Sequence, residues 1–353
     1  MIGFTLPIMY NSLSATLISA HGESGGVTPI ASTALTLPVD PAVDFAPPQA
    51  PKSHTSTTAT DFMVPVIGAH GNSCFVTRQI ALVLVIVVAV VWGVMGLFSQ
   101  FQWQMVFPGP EGVSESLLSD VATQVGATEL RIPTEDGETL YGWHRAAVRT
   151  GPRRVLLYFH GNASSLLAQI ELQNLLLSEG WDFVGIHYRG YPGSTGVASE
   201  AGVHKDAMAA WNWVTEELAT KPDRVVIHGR SLGGGVAAQL AAAVNPGALV
   251  LESTFTSIVD LAKEHYRWLP VTRMLEHRFM TRDFAGQVSC PVLVAHGAAD
   301  STIDVHHGRQ LARLFHAEEY IEVPRMDHND MLLVGLIASR YLQFLDGAVP
   351  TRQ

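Results

Sequence analysis

The chain has 353 residues and carries 22 Lys and Arg against 32 Asp and Glu, a formal net charge of −10. That acidic balance, without a long basic run, excludes a nucleic-acid-binding class. The mean hydropathy of +0.20 is high for a soluble enzyme and points to one concentrated apolar block.

Residues 1–78 are rich in Ala, Thr, Ser, Pro and Gly, with few charges and no sustained period of 2 or 3.6. They read as a disordered low-complexity segment. Translation starting at Met63 instead of Met1 is an alternative, since it leaves an ordinary signal-anchor arrangement. The apolar block follows, from Ile80 to Phe98 without a single charge. A helix of about 19 residues is roughly 28 Å long, close to the ~30 Å hydrocarbon thickness of a bilayer. Residues 79–99 are therefore expected to form one transmembrane signal-anchor helix; a buried core helix is the alternative, but core helices rarely run apolar on all faces for this length. A cleaved signal peptide fits less well, because the stretch is long and no Ala-x-Ala site follows. Arg78 precedes the span and no Lys or Arg follows until Arg131. The positive-inside rule then places the N-terminus inside and the rest of the chain on the non-cytoplasmic side. Cys74 and Cys290 fall on opposite sides of the span, which argues against a disulfide between them. Cys290 suits a buried structural thiol, and no cofactor or metal is expected.

Beyond the span, residues 105–350 form the expected single α/β domain. Thr128 to Pro133 and Thr139 to Ala146 read as a hairpin around the Asp136-Gly137 turn. Short apolar runs follow at Val155–Phe159, Trp181–His187, Arg224–His228, Ala248–Leu251, Val292–Ala295 and Tyr320–Val323. Helical patterns lie between and after them, at Leu166–Ser178, Ala201–Ala219, Leu232–Ala243, His307–Phe315 and about Met331–Leu345. Continuously apolar strands alternating with helices imply a mostly parallel α/β sheet covered on both faces.

Gly229-Arg230-Ser231-Leu232-Gly233 sits between one of these strands and a run of small residues. Gly-x-Ser-x-Gly at a strand–turn–helix junction is what a nucleophile elbow requires. Serine is a poor nucleophile at neutral pH, so Ser231 needs a base, an acid to orient the base, and donors for the oxyanion. On such a sheet the acid and base follow in that order, each past the C-terminal end of a strand. Asp300 lies in the loop His296-Gly297-Ala298-Ala299-Asp300, with Asp304 and Glu252 as rival acids. His328 lies in the last loop before the final helix. Its rivals are His160 and His296, which precede strand-end glycines, and His228, which precedes the elbow. The oxyanion donors are expected to be the backbone N–H of Leu232 and that of Asn162 or Ala163, after Gly161.

The segments Tyr158-Phe159-His160-Gly161-Asn162-Ala163, Tyr188-Arg189-Gly190-Tyr191-Pro192-Gly193-Ser194-Thr195-Gly196 and Gly229-Arg230-Ser231-Leu232-Gly233-Gly234-Gly235 resemble the α/β-hydrolase superfamily. More narrowly they are similar to its membrane-anchored HGN-type hydrolases, which include protein depalmitoylases and lysophospholipid lipases. Leu251 to Ser257, His296 to Asp300 and Asp327 to Asp330 extend the likeness, which covers about residues 105–345. The resemblance implies an α/β-hydrolase fold and carries nucleophile, acid and base onto Ser231, Asp300 and His328. The long N-terminal segment and Pro192, where glycine is usual, depart from the pattern without touching those three.

The expected function is hydrolysis of carboxylic esters or thioesters through an acyl-enzyme on Ser231. Small-molecule or lipid esters are the expected substrates, the bilayer the expected partner. A peptidase of the same fold is the enzymatic alternative, and a catalytically silent membrane-anchored scaffold is the alternative of another class. About 30 residues separate Ser257 from Pro291, too few for a large cap domain. Within them Lys263 to Pro270 reads as an amphipathic surface helix, with interfacial lipid contact as the alternative.

Overall fold

The computed structural model describes residues 70–149, 151–267, 271–330 and 337–351. Most of the low-complexity segment, including Met63, therefore lies outside the described residues. Those described fall into two compact units that divide between Val87 and Val88.

Helix α1 (His70–Val106) extends past the expected 79–99 at both ends. Its apolar stretch, Thr77–Leu97, is 21 residues long, with a mean hydropathy of 3.0 over its most apolar 18 residues, which are not buried among the described residues. The helix outlasts its apolar stretch and ends at Val106, two residues before Pro108, which has no N–H to continue it. Helix α2 (Glu115–Val125) was not foreseen; Ser114 accepts from the N–H of Leu117 at its start, and Gly126 closes its end at φ 69°.

Next come β1 (Thr128–Pro133), β2 (Thr139–Arg145), β3 (Val155–Phe159), α3 (Ile170–Ser178), β4 (Asp182–Ile186) and α4 (Glu200–Asn212). They are followed by β5 (Val225–Arg230), α5 (Leu232–Val244), β6 (Ala248–Glu252), α6 (Ile258–His265) and α7 (Val271–Met274). The chain finishes with β7 (Val292–Gly297), α8 (Val305–Leu314), β8 (Glu319–Val323) and α9 (Ala338–Ala348). The eight strands form one sheet in the order β1-β2-β4-β3-β5-β6-β7-β8. The pairs β1·β2 and β2·β4 are antiparallel and all the others parallel.

Both faces are covered, which is why the inner strands read as unbroken apolar runs. Val155, Leu157 and Phe159 of β3 pack with α4, α5 and α8 on one face. Leu156 and Tyr158 pack with α2, α3 and α9 on the other. Three helical expectations shift. The helix expected from Leu166 opens as a 3₁₀ turn over Leu166–Gln169 before α3. The one expected to reach Ala219 leaves α-geometry after Asn212 for a π turn, Trp213–Glu217, where Leu218 N–H bonds the Trp213 carbonyl. The last helix is described from Ala338, and residues 331–336 of its expected span lie outside the described residues, as do Trp268 to Pro270.

Candidate active site

Ser231 stands between β5 and α5 with φ 54° and ψ −120°, a conformation an L-residue holds only under strain. The surroundings impose it. Ser231 donates its N–H to the Glu252 carbonyl (2.9 Å), and its own carbonyl accepts from Thr254 Oγ1 (2.6 Å) and Gly234 N–H (2.9 Å). The flanking glycines are required by contact with backbone. A Cβ on Gly229 would sit 2.2 Å from the Gly233 oxygen, and one on Gly233 2.1 Å from the Phe159 oxygen.

The loop after β8 brings His328 to this serine, and the loop after β7 brings Asp300 to the histidine. His328 Nε2 lies 3.1 Å from Ser231 Oγ, and His328 Nδ1 lies 2.8 Å from Asp300 Oδ2. All three residues are buried. The other Asp300 oxygen accepts the N–H groups of Thr302 (2.9 Å) and Ile303 (2.8 Å), which fixes the carboxylate plane. Burial opposes ionisation of Asp300, yet hydrogen bonds from His296 and His328 hold it well below the usual carboxylate range.

The rival residues have other partners. Asp304 caps α8 by accepting from His306 N–H. Glu252 accepts from His228, 3.0 Å away, and that histidine's other nitrogen meets Tyr341 Oη at 3.2 Å. His296 Nε2 is 2.8 Å from the Ile303 carbonyl, so it props the Asp300 loop. His160 Nδ1 is 2.6 Å from the Gly161 carbonyl within its own loop.

Of the candidate donors, Leu232 opens α5, where an N–H has no acceptor inside the helix. Gly161 brings the other loop close, since a Cβ there would lie 3.1 Å from Ser231 Cβ. The alternative left between Asn162 and Ala163 narrows. Ala163 donates its N–H to the Pro108 carbonyl at 2.9 Å, so that amide is already engaged.

Several supporting residues escaped sequence reasoning. Arg230 Nη2 donates to the His328 carbonyl at 2.6 Å, tying the elbow to the histidine loop. Asp327 accepts from Ser301 N–H (2.7 Å) and from His328 N–H (2.7 Å), joining the histidine and acid loops. Their proximity to Ser231, Asp300 and His328 in sequence was the only available signal.

Among the described residues, cavities also lie away from this site. One of about 670 Å³ is lined by Ile132, Lys205, Trp213 and Leu240, and another of about 730 Å³ by Asp260, Glu264, His306 and His307. Glu264, His306 and His307 have the spacing of metal ligands. Their ring nitrogens already have protein partners: His306 lies between Asp304 and Glu264, His307 between Thr256 and Glu264. Cys290, expected to be buried, is a half-buried free thiol whose pKa burial pushes up to about 11, away from the thiolate form.

The geometry has counterparts in known proteins. The family model described as the alpha/beta hydrolase fold matches residues 154–289. The Mycobacterium tuberculosis protein Rv2307c is 33% identical over 255 residues, 71% of this chain and 89% of that protein. A lysophosphatidylserine lipase, ABHD12 of Danio rerio, is 34% identical over 177 residues, 44% of this chain and 46% of the lipase. The chain thus matches about half the length of that lipase. Among solved structures, an alpha-beta hydrolase from Vibrio vulnificus superposes with a TM-score of 0.56 at 22% identity, covering 66% of this chain and 86% of that one. The elbow, the sheet and these likenesses agree: the chain belongs to the α/β-hydrolase family.

Proposed function

We propose that this protein is a serine hydrolase acting on carboxylic esters of acyl lipids, with Ser231 as nucleophile, His328 as base and Asp300 as orienting acid. The observation that carries the reading is the unbroken chain Ser231 Oγ, His328 Nε2 (3.1 Å), His328 Nδ1, Asp300 Oδ2 (2.8 Å). Ser231 attacks the ester carbonyl carbon while its proton passes to His328 Nε2. The negative oxygen that forms is held by the N–H groups of Leu232 and Asn162. The bond to the leaving alcohol breaks, the alcohol takes the proton from His328, and an acyl-enzyme remains on Ser231. Water then attacks the acyl carbon and gives a proton to His328 Nε2; the bond from the acyl carbon to Ser231 Oγ breaks, Oγ takes that proton back, and the carboxylic acid leaves. Asp300 stays ionised and keeps the His328 proton on Nδ1, so that Nε2 is free to accept.

The lipid part of the proposal draws on two supports. The ABHD12 relatives are named lysophosphatidylserine lipases, and Thr77–Leu97 is long and apolar enough to cross a bilayer. In this account residues 79–99 are a single-pass anchor and residues 105–350 the catalytic domain. With Arg78 on the inner side, the catalytic domain faces the non-cytoplasmic side. The test is a panel of p-nitrophenyl esters of rising chain length, an acyl-thioester and a lysophospholipid, assayed with the detergent-solubilised full chain. Turnover of the lysophospholipid above the short esters is expected. Preference for the thioester, or for a peptide amide, would overturn the ester assignment.

A further inference from the structure

The turn that leaves α1 reaches the oxyanion loop. Phe107 N–H closes the helix on the Trp103 carbonyl (2.8 Å), and Pro108 ends it. Pro108 then offers its carbonyl to the Ala163 N–H at 2.9 Å. Ala163 has φ 49°, a left-handed conformation that an alanine holds only under strain. It is also the residue immediately after Asn162, the donor assigned above.

The same turn touches the other half of the oxyanion site. Phe107 is buried, with its ring edge-on to Phe279 (5.9 Å between centroids) and to His277 (5.2 Å). Phe279 in turn lies against the first turn of α5, where a Cβ on Gly235 would be 3.1 Å from its ring. That is the helix whose first N–H belongs to Leu232. The strap carrying Phe279 is itself held at several points. Gln102 Oε1 accepts the Glu276 N–H (2.8 Å), and the Glu200 carboxylate accepts those of Arg278 (2.6 Å) and Phe279 (2.8 Å).

We propose that Phe107 and Pro108 are positioning residues of the catalytic site: the end of α1 holds the oxyanion loop at Ala163 and, through Phe279, braces the helix that supplies the second donor. The proposal rests on the acyl-transfer reading above. Its physical basis is leverage. Oxyanion donors work only near their ideal placement, and a displacement of about 1 Å lowers turnover by up to about 10²-fold. Ordinary packing of Phe107 would stabilise the fold without reaching a strained residue next to a donor. The helix is thus a structural member of the site as well as an anchor.

The experiment compares wild type, Phe107→Ala, Phe107→Leu and Gln102→Ala, each as the full chain in detergent. Each is titrated with a fluorophosphonate so that rates refer to intact sites. With a water-soluble short-chain ester, Phe107→Ala should lower kcat about tenfold or more while KM stays within about twofold. It should weaken a trifluoromethyl ketone, whose adduct places an oxyanion in the site, by the same factor. Phe107→Leu should recover most of both losses, and Gln102→Ala should give a smaller loss of the same kind. If titrated Phe107→Ala keeps wild-type kcat and ketone affinity, the proposal is wrong, even if its melting temperature falls. Should Phe107→Ala fail to fold, unchanged kcat and ketone affinity in Gln102→Ala would overturn it instead. A wild type that neither hydrolyses esters nor labels would refute the function and not this inference.

Discussion

Replacing Asp300 by Asn preserves the side-chain shape and removes one negative charge. In the wild type, Asp300 Oδ1 accepts two backbone N–H groups, Thr302 and Ile303, at 2.9 and 2.8 Å. The Asn carbonyl takes that place, because an NH₂ there would face two donors. Its NH₂ group then occupies the position of Oδ2, 2.8 Å from His328 Nδ1. Nδ1 must accept, so the imidazole proton moves to Nε2, 3.1 Å from Ser231 Oγ. A base carrying its proton on that side cannot take another from serine. A wrong tautomer of this kind lowers kcat by about 10⁴, or about 5 kcal/mol of transition-state stabilisation. The assay is kcat on a short-chain p-nitrophenyl ester, normalised to folded protein by circular dichroism and melting temperature. Asp304→Asn is the matched control: Asp304 caps α8, Asn caps equally well, and both stability and turnover should change little. A loss below about tenfold for Asp300→Asn would refute the assignment of the acid and redirect it to Glu252.

Two further predictions concern stability. Burial holds the pKa of His160 down to about 3 and, against a hydrogen bond to the Pro192 carbonyl, that of His187 down to about 4. An unfolded histidine titrates near ~6.5, so below that pH the unfolded chain binds protons that the native one excludes. Stability contributed by these groups is complete above about pH 6.5 and is lost as pH falls towards 4, at up to about 1.4 kcal/mol per pH unit for each. Urea midpoints at pH 7, 6 and 5 should therefore decline, and a flat series would contradict the buried neutral state. Gly233→Ala drives a Cβ to 2.1 Å from the Phe159 carbonyl oxygen, backbone against backbone, whereas Gly286 has open space around it. The first substitution should destabilise by about 3 kcal/mol or more and abolish labelling, and Gly286→Ala should be silent. Equal melting temperatures for the two would refute the close approach at the elbow.

The strand-end placement of Ser231, Asp300 and His328 was legible in the sequence because each piece is local. Gly229 and Gly233 announce the elbow, and the loops holding Asp300 and His328 each follow a short apolar run. The alternating helices and strands likewise gave the sheet class, because burial on both faces leaves no polar alternation to confuse the pattern. What escaped depends on contacts between distant segments. Nothing near Arg230 says that its guanidinium will clamp the histidine loop about 100 residues later. The sequence around Ala163 cannot announce that its amide will be taken by Pro108, since that pairing arises only when the end of α1 meets the loop after β3. Helix α2 was legible but not read: Leu117, Leu118, Val121, Ala122 and Val125 recur at helical spacing between the Ser114 and Gly126 caps.

The central claim is that Ser231 is the nucleophile. Its most direct test is covalent labelling of the full-length protein with a fluorophosphonate, followed by peptide mass mapping, beside Ser231→Ala. Wild type should be modified stoichiometrically on Ser231, with loss of esterase activity, and the variant should not be modified. Labelling of another residue, or equal labelling of the variant, would contradict the claim.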